Sequence, residues 1–418
     1  MESSSSRSTL PSEKVFSIQI GSKLFRLSGA SIASDAPSYF SRFFEEQLRH
    51  DASNIRTLYI DRDPVTFGDI ARHLQGYHVR PRDGAQFVKL FADSQFYSLP
   101  RLMSQLFESE IFIQIGDRHF QIPRDIFSSP GDAPNFFTLG FAAFFASPTE
   151  VFPGLDRQGL LRPPAIIPPS VPNRSAGVFS ELLHLLRGYP LHIRNEDHRA
   201  ELLRDVRYFH LRGLEQKLIP HQITVNPFNQ RSEIVIRLED VRPSGVQFAQ
   251  DVPAGSFPGG SVMYVRPFVD DNPADLILEI GDESTVVDQE AMRADFLDLA
   301  KSRITSLLQV VAKKMNLPES QSPMVPISIR LVHETDLIAN GELGGTLGVK
   351  AELDADTAPP AKRARSDDSA DALWIVRTGQ WRLRVQPKTT GGFDFFLVAV
   401  KLDVFNSPRI RNRSRTFL

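Results

Sequence analysis

The sequence predicts an α+β protein: two tandem units of one α+β design, followed by a β-rich α+β domain. Three observations predict it. Four blocks in the first half of the chain recur in the same order. Within each block, runs of period-two alternation give way to runs of helical spacing, the signature of strands followed by helices. In the second half, Phe396, Val398, Val400, Leu402 and Val404 alternate as a long half-buried strand does.

The first block is Ile18-Gln19-Ile20-Gly21, which returns as Ile113-Gln114-Ile115-Gly116, with Phe25 matching Phe120 and Leu27 matching Ile122. Phe16, Ile18 and Ile20 alternate, Gly21 breaks the strand, and Leu24 to Leu27 returns as the second arm of a hairpin. After a two-residue insertion, Asp35 to Phe40 recurs as Asp132 to Phe137. Arg56 to Ile60 reads as a short strand. Asp63 then caps a helix and Pro64 occupies its first position, where a missing N–H costs nothing. Phe67, Ile70, Ala71 and Leu74 form its apolar face, Gly76 ends it, and Phe67, Leu74, Gly76 and Tyr77 match Phe179, Leu186, Gly188 and Tyr189. Phe96-Tyr97 matches Tyr208-Phe209. The closing helix places Leu99, Leu102, Met103, Leu106 and Phe107 on one stripe, with Leu211, Leu214 and Leu218 keeping the spacing. The second copy carries a Pro-rich insertion, residues 148–172.

These blocks resemble the BTB/POZ fold, in its potassium-channel-tetramerisation subtype. The strand–glycine–Phe opening of that subtype is met by Phe16 to Phe25, with Ser22 in place of a second glycine. Pro37-Ser38-Tyr39-Phe40-Ser41-Arg42-Phe43-Phe44 resembles its Pro-x-Ser-x-Phe-x-x-Phe-Phe element, one residue shorter. Tyr59-Ile60-Asp61-Arg62-Asp63-Pro64 is similar to its most characteristic string, and Ala92 to Leu99 to its closing helix pair. In the second copy Asn173-Arg174-Ser175 stands where the acidic string belongs, so the expectation is that Arg174 has lost its carboxylate partners. Tandem units with a further C-terminal domain resemble the fungal Whi-type growth-regulation and stress-response proteins. That resemblance implies an adaptor for plasma-membrane phosphatases.

The boundaries predicted are a disordered tail over 1–14, a first unit over 15–108, a second over 109–221, and a C-terminal domain over 222–418. In that domain Ile223 to Leu238, Leu276 to Ile280, Ile327 to Val332, Leu373 to Val376 and Trp381 to Val385 read as strands. A helix is expected from Val287 to Met315, stopped by Pro318, with Met292, Phe296, Leu299 and Ile304 on its inner face. Residues 354–371 read as a disordered loop and 407–418 as a basic tail.

Composition narrows the function. The 418 residues carry a formal net charge of −2, which creates no field toward nucleic acid or an anionic membrane. With no cysteine there are no disulfides, thiolate zinc sites or thiol nucleophiles. The opening Met1-Glu2-Ser3 reads as no signal peptide, and no run approaches the length of a membrane span. His184, His192, His198, His210 and His221 lack metal-ligand spacing. Gly341 to Gly348 lacks the Gly-Lys-Ser/Thr of a phosphate loop, and no Gly-x-Ser-x-Gly elbow occurs. The chain is therefore expected to be no enzyme and to use no cofactor, metal or small-molecule substrate.

The candidate interaction residues are Phe40, Phe43, Phe44, Asp61, Arg62 and Asp63. Phe136, Phe137, Phe141, Phe144 and Phe145 are their counterparts, and most of these rings belong in two cores by their helical spacing. The resemblance adds that part of this helix meets partners such as cullin scaffolds. Asp61 and Asp63 read as a cap and a salt-linked turn around Arg62 rather than an acid–base pair. Lys362, Arg363 and Arg365 are either solvated loop or a nuclear-localisation patch that phosphorylation of Ser366 would neutralise. Arg409, Arg411, Arg413 and Arg415 read as a solvated tail, with a phosphate- or lipid-contacting arm as the alternative. The expectation is a cytoplasmic protein–protein adaptor in growth and stress signalling through a phosphatase partner, recruited by it to the plasma membrane. The alternatives are a cullin-dependent substrate receptor and a nuclear transcription regulator. The two units are expected to dock on each other, leaving a monomer or a dimer.

Overall fold

The computed structural model describes residues 9–108, 110–140, 169–250, 259–318, 325–340, 342–343, 373–388, 392–406 and 408–414. The chain divides into two compact units, residues 1–215 and 216–418. Each mixes helix and sheet.

In the first unit, residues 15–108 begin with the hairpin β1 (Val15–Ile20) and β2 (Lys23–Ser28), antiparallel from Val15↔Ser28 to Ile20↔Lys23. Helices α1 (Gly29–Ala33) and α2 (Tyr39–His50) follow. A capping box starts α2: the Ser38 hydroxyl accepts from the Ser41 amide at 3.2 Å and the Ser41 hydroxyl accepts from the Ser38 amide at 2.9 Å. Strand β3 (Leu58–Ile60) then lies parallel to β1, giving the sheet order β2-β1-β3. Helices α3 (Pro64–Leu74), α4 (Gly84–Phe96) and α5 (Pro100–Glu108) complete the segment.

The rest of the first unit, from residue 110 to 215, again sets a hairpin and a parallel third strand before helices. Strands β4 (Ile111–Ile115) and β5 (Arg118–Ile122) form the hairpin, a 3-10 turn (Arg124–Phe127) replaces α1, and β6 (Ser170–Val171) lies parallel to β4. Helices α6 (Ala176–Leu186), α7 (Glu196–Tyr208) and α8 (Arg212–Leu218) follow. The cap recurs with different chemistry: Asn135 accepts from the Thr138 amide and Thr138 from the Asn135 amide, both at 2.9 Å.

Each segment is built on a triangle of rings. Phe40 lies 5.7 Å from Phe67 and 4.7 Å from Tyr97. Phe137 lies 5.4 Å from Phe179 and 4.9 Å from Phe209. All six are fully buried. Such rings dominate the energetics of a small core, because each removes a large apolar area from water. Beside each triangle, a buried aspartate holds the start of the last helix. Asp35 accepts from the Arg101 and Leu102 amides at 2.7 and 3.0 Å, and Asp132 from the Leu214 amide at 2.9 Å.

The second unit holds an 11-stranded mixed sheet. Its main path runs β12-β13-β14-β17-β16-β10-β11-β8-β7, with β15 on β14 and β9 on β10. These strands are β7 (His221–Val225), β8 (Ser232–Arg237), β9 (Val246–Gln250), β10 (Gly260–Tyr264), β11 (Ala274–Ile280), β12 (Thr285–Asp288), β13 (Arg293–Phe296), β14 (Ile327–Ala339), β15 (Glu342–Leu343), β16 (Leu373–Pro387) and β17 (Phe393–Phe405). Helix α9 (Asp298–Lys314) buries Ile304, Leu307, Leu308, Val311 and Ala312, and packs against β9 and β13. A short helix, α10 (Pro408–Ser414), follows β17.

Four expectations need correction here. The helix expected from Val287 starts only at Asp298, and Val287 and Phe296 belong to the β12–β13 hairpin, in register Thr285↔Phe296. The turn decides it. Asp288 accepts from the Glu290 and Ala291 amides, and Met292 takes a positive φ of 47°, so the chain reverses before the helix can nucleate. Leu299, expected inside, is 70% exposed. The strands expected at Leu373–Val376 and Trp381–Val385 are one strand, continuous through two register shifts near Thr378 and Trp381. The run from Ile223 to Leu238 is a hairpin, turning through Asn226 to Arg231.

Candidate interaction surface

Arg62 sits at the mouth of the first segment because β3 and α3 meet there. Gly21, at the β1–β2 turn, has φ +53°, and a Cβ there would lie 3.0 Å from the Arg62 carbonyl oxygen. Gly116 in the second segment has φ +57°, and its Cβ would lie 2.7 Å from the Arg174 carbonyl. Only glycine satisfies both demands at these two points. The hairpin turn therefore fixes where each arginine leaves the backbone.

The Arg62 side chain is 5% exposed. Its guanidinium lies 3.6 Å from the centre of the Phe96 ring, and Nη1 donates to Asp93. Burial pushes the Asp93 carboxyl up, against the opposing pull of the Arg62 charge. Asp63 is spent on capping: its carboxylate accepts from the Val65 amide at 3.0 Å and from the Thr66 hydroxyl at 2.7 Å. Partial burial pushes Asp63 up, but those hydrogen bonds and the Lys89 charge prevail and hold it below the usual range. Arg62 and Asp63 are thus both held by structural contacts, the guanidinium against a ring and the carboxylate on a helix start.

The salt-linked turn expected around Arg62 is thus corrected. Arg62 meets a carboxylate of α4, Asp93, thirty-one residues downstream of the string. The expected loss of partners at Arg174 is corrected with it. Arg174 Nη1 donates to Asp205 at 3.2 Å, also thirty-one residues on, and its guanidinium lies 4.1 Å from the Tyr208 ring centre. Ser175, in place of Asp63, still caps its helix by accepting from the Val178 amide at 3.3 Å. The signal was present in the repeat, since both arginines are followed at equal spacing by an aspartate and an aromatic pair, Asp93 with Phe96-Tyr97 and Asp205 with Tyr208-Phe209.

Around Arg62 the surface is apolar and acidic. Tyr59 is 60% exposed on the edge strand β3, Val65 is 70% exposed, and Asp61 and Asp63 are exposed beside them. Phe96 continues to the half-exposed Tyr39, 6.4 Å away, which stacks on Phe43 at 6.5 Å. Phe40 and Phe44 are fully buried, so of the three α2 phenylalanines only Phe43 reaches the ledge. In the second segment the equivalent ledge is Phe136, Leu139 and Tyr208, with Asn173 and Ser175 where the carboxylates stand in the first.

Phe141, Phe144, Phe145, residues 148–168, the loop 354–371 with Lys362, Arg363, Arg365 and Ser366, and Arg415 lie outside the described residues. Among the described residues no three His, Asp or Glu side chains gather as metal ligands, and no helix is long and apolar enough to cross a membrane.

Residues 16–107 match the model of the BTB/POZ domain. The chain carries a BTB/POZ domain. The ledge around Arg62 is therefore a surface of that domain, and BTB/POZ domains are interaction modules. Two proteins of Saccharomyces cerevisiae are similar to this chain, each 36% identical. One is an uncharacterized protein, aligned over 275 residues, 63% of this chain and 53% of its own length. The other is a BTB/POZ domain-containing protein, aligned over 239 residues, 57% of this chain and 47% of its own. The chain thus spans about half the length of the curated relatives it matches.

Proposed function

We propose that the protein is a non-enzymatic adaptor that carries two BTB/POZ-like copies, residues 15–108 and 110–218, and binds other proteins through the ledge of the first. The observation that carries this reading is the BTB/POZ domain with Tyr39, Tyr59 and Val65 exposed beside a locked Arg62. A side chain that is already ordered loses little entropy on binding, and exposed tyrosines are favoured interface anchors. The second copy rests on the recurring ring triangle, the recurring Arg–Asp pair and the recurring sheet order.

The pathway is proposed from the resemblance to Whi-type proteins: growth control and stress signalling through a phosphatase partner, from the cytoplasm. The test is affinity purification of the full chain beside a Tyr39→Arg/Tyr59→Arg/Val65→Asp variant, with folding checked by circular dichroism. The expected result is a phosphatase or signalling protein recovered by the wild type and lost from the variant. Equal recovery by both would move the binding surface elsewhere. Recovery of a purified cullin by the wild type alone would instead favour the substrate-receptor reading, which the shared BTB/POZ domain also permits.

A further inference from the structure

We propose that the two segments of the first unit meet through a one-way joint that no second copy of this chain can repeat. The inference rests on reading residues 110–218 as a second copy, because it compares each contact residue with its counterpart in the other copy.

Contacts described across the joint run from α4, α5 and the loop before α4 to the β4–β5 hairpin of the second segment and the residues that flank it. Phe87 on α4 lies 5.3 Å from Phe112 on β4, and both are buried. Arg80 donates to Glu110 at 2.8 Å. Arg124, after β5, lies 4.6 Å over the Phe107 ring. The short link from Glu108 to Glu110 holds these faces at high effective concentration.

A second chain repeating the joint would bring α7 of one molecule to the β1–β2 hairpin of another. Each contact would then fail. The counterparts of Phe87 and Phe112 are Arg199 and Ser17, so the buried ring pair becomes a charge against a hydroxyl. Ser17 pairs across the hairpin with Arg26, where Phe112 pairs with Gln121, so Arg199 would also approach a like charge. Val88, buried beside Phe87, is replaced by the exposed Ala200. The Arg80–Glu110 ion pair becomes His192 against Val15.

The fourth substitution closes the face physically. The counterpart of Arg124 is Gly29, and a Cβ at Gly29 would lie 2.1 Å from the Pro11 carbonyl oxygen. Gly29 donates its amide to Lys14 at 2.8 Å, Ala30 to Ser12 at 3.1 Å, and Leu10 is buried. Where the second segment reaches out to grip the first, the first is covered by its own preceding chain. Repeat units that stack need such a cap at the end of the array.

The test uses the absence of native cysteine, so that a short bismaleimide reacts only with introduced thiols. In the full chain, Arg80→Cys/Glu110→Cys places a pair across the joint, and Val15→Cys/His192→Cys marks the faces that a repeated joint would bring together. The first variant is expected to cross-link within one chain, remaining at 46.9 kDa in denaturing electrophoresis and mass spectrometry. The second is expected to yield no chain-to-chain product, even at the highest attainable concentration. Interchain product from the second variant, matching the intrachain yield of the first, would overturn the termination. No cross-link in the first variant would overturn the joint itself. Either failure leaves the ledge of the first segment, and its partner capture, to be judged on its own.

Discussion

The two segments of the first unit keep the same skeleton with different surfaces. Phe67 and Phe179 occupy the same corner of the same triangle of rings, and Arg62 and Arg174 reach the same aspartate position. Yet Arg62 is buried at 5% while Arg174 is 22% exposed, and the acidic rim of the first becomes Asn173 and Ser175 in the second. Burial accounts for both halves of this. A residue inside a packed core is felt by many neighbours and keeps its identity, whereas a rim residue changes at little cost. The difference also separates what folds a segment from what it can bind.

The largest expected effect tests the shared skeleton. Phe67→Ala and Phe179→Ala should each destabilise the first unit by about 3–5 kcal/mol, the range for deleting a buried aromatic. Chemical denaturation measures both, and a loss under about 1 kcal/mol at either would break the equivalence of the two triangles.

The arginines should then diverge. Arg62→Ala strands the buried Asp93 and should cost about 3–5 kcal/mol. Arg174→Ala should cost less, because Arg204 remains 3.6 Å from Asp205 and still offsets its charge. Equal losses in the same denaturation experiment would show that exposure does not grade the pair.

A third contrast lies at the last helix of each segment. Gly213 stands where the first segment has Arg101, and a Cβ there would sit 2.2 Å from the Pro130 carbonyl oxygen. Gly213→Ala should therefore cost about 1–3 kcal/mol through forced backbone movement. Arg101→Ala removes one exposed hydrogen bond to Ser34 and should cost about 1 kcal/mol or less. Thermal midpoints of the two variants, read side by side, would reverse order if the close approach were relaxed in solution.

The smallest effect concerns the caps. Asp63→Ala and Ser175→Ala should each cost about 1 kcal/mol near neutral pH. Only the first should depend on pH. The Asp63 carboxyl is held low in the folded protein, so its contribution is complete above the unfolded value of about 3.9 and is lost as pH falls below it. The gap between wild type and Asp63→Ala should close in acid while the Ser175→Ala gap stays constant. Melting curves across the acid range would show either pattern.

Much of the first segment was legible because its patterns are local. Alternation placed β1, Asp63-Pro64 placed the start of α3, and the recurrence of Phe67 as Phe179 placed the core. The partner of Arg62 was missed because the adjacent carboxylates looked sufficient, and an ion pair across thirty-one residues leaves a trace only when both copies are aligned. The start of α9 was missed because Val287 and Phe296 fit helical spacing as well as they fit a hairpin, and short apolar runs do not separate the two.

By itself the sequence determined the α+β class, the β1–β2 hairpin, and the Asp63 cap, Pro64 and Gly76 that start and stop α3. These follow from hydrogen-bonding and backbone rules that operate within a few residues. Only the tertiary structure decided which carboxylate meets Arg62, which α2 ring reaches the surface, and which faces of the two segments join. Those outcomes depend on where distant elements converge, and on which groups are thereby taken out of water.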